Sequence, residues 1–356
     1  MNIDVLIKLI NMIADLQKQT KELETLVADL RSENFGVSYY NRCSPLLEAH
    51  LKKTGQPGTI TWVNGWHWHD PNSNDHYTYH RDTWAAYADS LIDDPSPIIM
   101  LDVEGEVLRN MRDPNHPDRD KILEWYVDAT KVYKERFPNK KIAWYAIPFI
   151  SPWLWRGHPD DYQAWIDREE EICRVLSPFV DFLQPSIYDH YKDDAFNASG
   201  DRLWIDADLE KTSVEEMIRI ALTYHKTVIP AIWRMYHNGN RLYGYTPIPL
   251  EEFTKHLKYA YNTVVNNNFI DGFMFWNRQR INWEDYGSGP RGMDPADVPD
   301  WLEESERESY NVIAKMAGLK PIQSTTPLTP AGPVILKPVE PTKTPTKKPG
   351  PSTPLQ

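Results

Sequence analysis

Short apolar runs alternate with amphipathic stretches from Gly36 to Ala317, and this alternation leaves the chain very few architectures to choose from. The runs that read as strands are Gly36–Tyr40, Thr59–Asn64, Pro97–Val103, Lys141–Ile147, Val180–Pro185, Val228–Trp233 and Gly272–Trp276. Helical stretches fall between them at about 44–53, 82–92, 119–136, 160–176, 213–225 and 249–267, with 301–317 after the last. Strand, helix, strand in this order requires parallel strands joined by crossovers. Seven such units predict an α/β fold, a TIM-like (β/α) barrel, distorted and with seven to eight strands. An open doubly wound sheet is the alternative, but no Gly-rich phosphate loop follows the first strand to favour it.

The barrel expected over 34–319 is flanked by two different materials. In residues 1–33, Leu6, Leu9, Ile13, Leu16, Thr20, Leu23, Val27 and Leu30 are spaced alternately three and four apart. That spacing keeps one apolar seam on a helix and favours a left-handed coiled coil. One helix cannot bury such a seam, so a homo-oligomer is expected through 1–33, with three copies as the guess; the seam itself does not decide the number. Residues 320–356 hold ten prolines and carry a net charge of +4. They read as an extended Pro/Thr/Lys-rich tail.

Charge excludes some functions. The whole chain is at −12, and residues 34–319 alone carry −14, which disfavours nucleic acid and other polyanions. No apolar run is long enough to cross a membrane. Lys8 and Asp15 interrupt the first apolar stretch, so no secretory signal is expected. Two cysteines, Cys43 and Cys173, make no disulfide framework. No cofactor or metal is expected.

The sharpest chemical signal is Ile98-Ile99-Met100-Leu101-Asp102-Val103-Glu104-Gly105. A buried strand ends in two acids spaced i, i+2, which places both carboxylates on one face. At the C-terminal end of a barrel strand that face opens into the mouth where barrel enzymes work. Glycosidic cleavage needs a proton donor at the leaving oxygen and stabilisation of a cationic transition state, and a carboxyl pair supplies both. An Asp-x-Glu alone is a weak motif, often no more than a helix cap. The other strand ends strengthen it. Ile142-Ala143-Trp144-Tyr145, Gln184-Pro185-Ser186-Ile187-Tyr188 and Phe273-Met274-Phe275-Trp276 each finish in an aromatic that can meet a sugar face. Trp66, Trp68, Trp153 and Trp233 follow other strand ends and are further candidate sugar contacts. The run Trp66-His67-Trp68-His69-Asp70, with Asp75, His76 and His80 beyond it, could ligate a metal; a substrate-lining loop is the preferred reading.

Taken together, these motifs resemble the hyaluronidase family of glycoside hydrolases. The resemblance rests on Asp102 and Glu104, on Gln184 to Tyr188, on Gly272 to Trp276, and on Tyr236 leading to Pro247-Ile248-Pro249-Leu250-Glu251-Glu252 and a helix. It covers about residues 56–285. It implies a distorted (β/α) barrel and a retaining mechanism in which the acetamido oxygen of the substrate acts as nucleophile. By motif position, it implies Glu104 as general acid and then base, and Asp102 as the group that orients the acetamido. Tyr188 would hydrogen-bond the reacting sugar and Trp276 would wall it. Departures are visible: Val103 stands where the family has an aromatic, and Ser151 falls near a family tyrosine, leaving Trp153 or Tyr145 to take that place. The family's disulfides have no counterpart.

The function expected is hydrolysis of an N-acetylhexosamine-containing polysaccharide, neutral or weakly charged rather than polyanionic because the barrel is so acidic. A coiled-coil mount on a glycan-cutting body suggests a virion-associated enzyme, such as one on a phage tail or fibre. Two alternatives stand beside it: a non-catalytic glycan-binding or structural protein on the same barrel, and a barrel-type lysozyme acting on peptidoglycan.

Overall fold

The computed structural model describes residues 3–40, 42–72, 77–150, 159–188, 207–237, 244–287 and 289–323. Six parallel strands form one curled sheet: β1 Gly36–Tyr40, β2 Gly58–Asn64, β3 Ile98–Asp102, β4 Lys141–Trp144, β5 Ala231–Ile232 and β6 Gly272–Phe275. They run side by side in the order β4-β3-β2-β1-β6-β5. The strand expected at Val180–Pro185 is replaced by isolated bridges, Tyr145 with Gln184, Leu183 with Val228 and Ser186 with Ala231. Pro185 and Pro230 have no N–H to give a ladder, which breaks this segment and shortens β5. The segment still joins the two sheet edges, with Ile147 N donating to Gln184 O at 3.0 Å and Ala231 N to Pro185 O at 2.8 Å. The result is an α/β fold of TIM-like kind.

The helices are α1 Ile3–Asn34, α2 Pro45–Lys53, α3 Arg81–Ser90, α4 Glu106–Arg112, α5 Arg119–Arg136, α6 Pro159–Leu176, α7 Ala207–Tyr224, α8 Leu250–Asn262, α9 Arg278–Tyr286 and α10 Val298–Ala317. None of them, over the described residues, is long and apolar enough to cross a membrane. The helix expected to reach residue 267 stops at Asn262, because Thr263 turns to extended backbone (φ −71°, ψ 124°); Asn266 and Asn267 then adopt left-handed φ values of 50° and 66°. Residues 324–356, most of the expected Pro-rich tail, lie outside the described residues.

Strand parity sorts the core into two layers. Ile98 and Met100 of β3 point inward with Ile60, Ala143, Phe182, Ala231 and Met274. Ile99, Leu101 and Val103 point outward against helix residues such as Met111 and Tyr126. All five residues of β3 are buried. Burying each of its Ile, Leu and Met side chains contributes about 1.5–3 kcal/mol, so this strand is firmly held where it delivers its acids.

Among the described glycines, the tightest packing is at Gly272, between β1 and β6. A Cβ added to Gly272 would lie 2.1 Å from the carbonyl oxygen of Gly36. The neighbour is backbone, which has little room to yield. Gly272→Ala is expected to cost about 1–3 kcal/mol by overpacking, read as a lower denaturation midpoint at an unchanged denaturant slope. An unchanged midpoint would show that β1 and β6 can separate freely.

Candidate active site

The inward faces of the strand ends meet in one cleft. Parity continues from Ile98 and Met100 to Asp102 and then Glu104, so both acids lie on the interior side of β3. Asp102 is buried and Glu104 is exposed. Gly105 follows with φ 74° and ψ −133°, a conformation that favours glycine, and starts α4 directly after Glu104. The cleft holds about 580 Å³, within the range of small-molecule sites. Asp102, Glu104, Asn64, Tyr40, Trp62 and Trp276 all line it.

Each neighbouring strand end supplies an aromatic where β3 supplies acids. Trp276 stacks on Tyr40, centroids 4.4 Å apart at 22°, and lies 4.3 Å from Trp62. Trp62 meets Tyr145 at 4.9 Å, Tyr145 meets Tyr188 at 6.0 Å, and Tyr188 meets Trp233 at 5.6 Å. The predicted Trp276, Tyr145, Tyr188 and Trp233 therefore belong to one continuous aromatic wall, which Tyr40 and Trp62 complete. Neither of those two was expected. Their signal was available: Tyr40 is in phase with Gly36, and Trp62 with Ile60.

Tyr145 and Tyr188 are buried beside the acids. Burial is the main cause that raises the pKa of both hydroxyls far above the ordinary tyrosine value, and the Glu104 and Asp102 charges raise them further. Tyr145 Oη lies 3.3 Å from Ser186 Oγ. Both tyrosines therefore hold their protons at neutral pH.

The predicted tryptophans divide. Trp66 is 78% exposed on the rim, with its backbone N–H held by Asn64 Oδ1 at 3.0 Å. Trp68 corrects its expected role as a sugar platform: it is 0% exposed, and its Nε1 donates to Tyr77 O at 3.3 Å. It packs on Tyr79, Trp84 and Tyr126, bordering the cleft from beneath with no face open to a sugar. Trp233 is buried in the wall rather than open to the cleft, and its indole N–H has no hydrogen-bond partner among the described residues. Trp153 and Ser151 lie outside the described residues, as do Asp75 and His76. Of the remaining loop histidines, His67 stacks on Tyr87 at 3.4 Å, His80 caps α3 through Thr83, and His69 lines the cleft. Among the described residues no group of three ligands could hold a metal ion.

Tyr126 is a third contributor the sequence did not flag. Its hydroxyl, on α5, donates to Val103 O at 2.7 Å, the carbonyl between the two acids. It fixes the peptide that aims both carboxylates. Tyr126→Phe keeps the ring and removes that bond, with an expected loss of about 1 kcal/mol of stability. Misplaced acids should lower kcat by about tenfold with KM nearly unchanged. A raised KM with kcat unchanged would assign Tyr126 to binding instead.

No family model and no curated protein sequence matches this chain. Solved structures similar in chain path include bee venom hyaluronidase in complex with a hyaluronic acid tetramer. It is 15% identical, with 74% of this chain and 98% of that chain covered at a TM-score of 0.48. An endo-β-N-acetylglucosaminidase from Cordyceps militaris is 11% identical, with 78% and 93% covered and a TM-score of 0.38. A psychrophilic glycoside hydrolase family 10 endo-β-1,4-xylanase is 10% identical, with 70% and 88% covered and a TM-score of 0.40.

Proposed function

We propose that this protein is a retaining glycoside hydrolase that cleaves a polysaccharide containing N-acetylhexosamine. The observation that carries the reading is the pairing of Asp102 and Glu104 on one face of a strand end, inside a cleft walled by aromatics. Glu104 protonates the leaving oxygen while the substrate's own acetamido oxygen closes on the anomeric carbon from the other face. Asp102, at the buried base of the cleft, orients the acetamido N–H and stabilises the positive charge that develops on the ring formed. Glu104 then takes a proton from water, whose attack reopens that ring with net retention. Trp276 and Tyr40 supply the apolar face against which the reacting sugar lies, and Tyr188 hydrogen-bonds it.

The substrate class follows from charge. Among the described residues lining the cleft the only basic side chain is His69, beside two carboxylic acids. A neutral polymer suits such a mouth better than a polyanion. The particle-mounted setting belongs to the same proposal and is checked by seeking the protein in purified virions.

Reducing ends released from hyaluronan, chondroitin, peptidoglycan, chitin and bacterial capsule preparations test the function. At least one N-acetylhexosamine polymer should be cut, and the same polymer stripped of its N-acetyl groups should resist. Equal cleavage of the stripped polymer would remove the substrate-assisted step. Binding of one glycan with no cleavage of any would make the barrel a binding module, and cleavage of peptidoglycan alone would favour the lysozyme reading.

A further inference from the structure

The chain enters the barrel through α1, and only Phe35 separates the last residue of that helix, Asn34, from β1. All strands are parallel, so α1 arrives at the end of the barrel opposite the mouth that holds Asp102 and Glu104. The final helix, α10, contacts α1. After α10 the chain is pinned at Ile322, whose N–H donates to Asn311 Oδ1 at 2.8 Å and whose carbonyl accepts from Asn311 Nδ2 at 3.1 Å. Lys320 O is held by His50 Nε2 at 2.9 Å, at the C-terminal end of α2.

The described seam of α1 is open. Ile13 is 47%, Leu16 59% and Leu23 61% exposed, and Ile10, Met12 and Leu26 beside them are exposed as well. A row of this length in water calls for a cover. The body does not provide one. A Pro-rich segment such as 324–356 cannot supply helical knobs. A membrane surface fits poorly, because residues 1–33 carry a net −2 and no basic face.

We propose that α1 is a parallel self-association stalk, covered by the α1 helices of further copies of this chain, with every active-site mouth facing away from it. The heptad makes the seam self-complementary: Leu6, Ile13, Thr20 and Val27 fall at a, and Leu9, Leu16, Leu23 and Leu30 at d. Direction follows from the flanks. The e and g positions of the first half are Ile3, Val5, Ile10, Met12 and Gln17, mostly apolar, whereas those of the second half are Gln19, Glu24, Leu26, Arg31 and Glu33, mostly polar. A parallel bundle sets the apolar flanks beside each other and keeps Thr20 level with Thr20. An antiparallel one sets Val5 and Ile10 against Glu33 and Glu24. Symmetry then places the barrels at one end of the stalk with their catalytic mouths outward.

The full-length chain tests this without reference to any glycan, so its failure would leave the hydrolase reading untouched. Light scattering should give an integral multiple of the 41.5 kDa chain. Leu16→Asp with Leu23→Asp should bring it to one chain, with the near-UV signal of the Trp-rich barrel unchanged. Ile13→Cys should form an intermolecular disulfide under mild oxidation that wild type does not. In a fully overlapped antiparallel pair, residue 13 would lie about 16 Å along the axis from its counterpart, too far to bridge. A single-chain mass for wild type, an assembly that survives the double Asp variant, or no disulfide from Ile13→Cys in an assembled protein would each overturn the proposal.

Discussion

Glu104→Gln is expected to lower glycan cleavage by about 10²–10⁴-fold, the usual contribution of a positioned proton donor. That range corresponds to about 3–5 kcal/mol of transition-state stabilisation. The carboxamide has the shape of the acid, and Glu104 stands exposed at the end of a buried strand, so folding and glycan binding should hardly change. The loss falls in kcat. A substrate with a nitrophenolate leaving group needs no proton at its leaving oxygen, so its first chemical step should recover most of the deficit in Glu104→Gln. Asp102→Asn should show no such rescue, because the proposed role of Asp102 is at the acetamido. A Glu104→Gln protein that cuts an unactivated polysaccharide within tenfold of wild type would end the general-acid assignment.

Much of this site could be read from strand parity, and what could not depended on contacts between distant segments. The i, i+2 spacing of Asp102 and Glu104 predicts one face, and the fold puts that face inside with Ile98 and Met100. The bounds of β1 are the expected Gly36–Tyr40. The same parity applied to β2 would have marked Trp62 and Asn64, in phase with Ile60. Apolar content alone overestimated the segment at 180–185 and β5, where Pro185 and Pro230 interrupt the ladder. Two helices escaped for different reasons. α4 is seven residues long and starts from the positive φ of Gly105, and α9 is too polar to show a periodic stripe. Trp68 misled because a loop aromatic reads as surface. Its burial depends on Trp84 and Tyr126 coming from elements α3 and α5, which local pattern does not reveal. Tyr126 and Val103 are likewise brought together by the fold and not by any motif.

The largest stability effect is expected behind the cleft, at Arg112 on α4. Its Nε lies 2.7 Å from Glu169 Oε1 on α6, and the two side chains are 9% and 2% exposed. The second carboxylate oxygen of Glu169 accepts from Phe149 N at 3.1 Å. Arg112 also donates to Ala146 O and sits over the Phe149 ring at 5.2 Å. The pair thus brackets Ala146 to Phe149, the turn that follows Tyr145, where Ala146 is held at φ 55°. Arg112→Ala leaves a buried carboxylate without its cation, a loss of about 3–5 kcal/mol. At roughly 2–4 °C per kcal/mol for a body of this size, Tm should fall by about 10 °C. Burial already raises the Glu169 pKa even with Arg112 opposing it, and removing Arg112 raises it further. A carboxyl raised in the folded state favours folding below its unfolded value, about 4.3, and that advantage is lost as pH climbs through the folded value. The deficit of Arg112→Ala should therefore be greatest at neutral pH and shrink as pH approaches 4, where Glu169 is protonated in both states. Arg112→Met with Glu169→Gln, which removes both charges together, should recover most of the stability at neutral pH. It should not recover full activity, because the cation that bonds Ala146 O and steadies the turn beside Tyr145 is gone. Equal losses for the single and double variants, independent of pH, would mean that Arg112 acts by packing on Phe149 rather than by its charge.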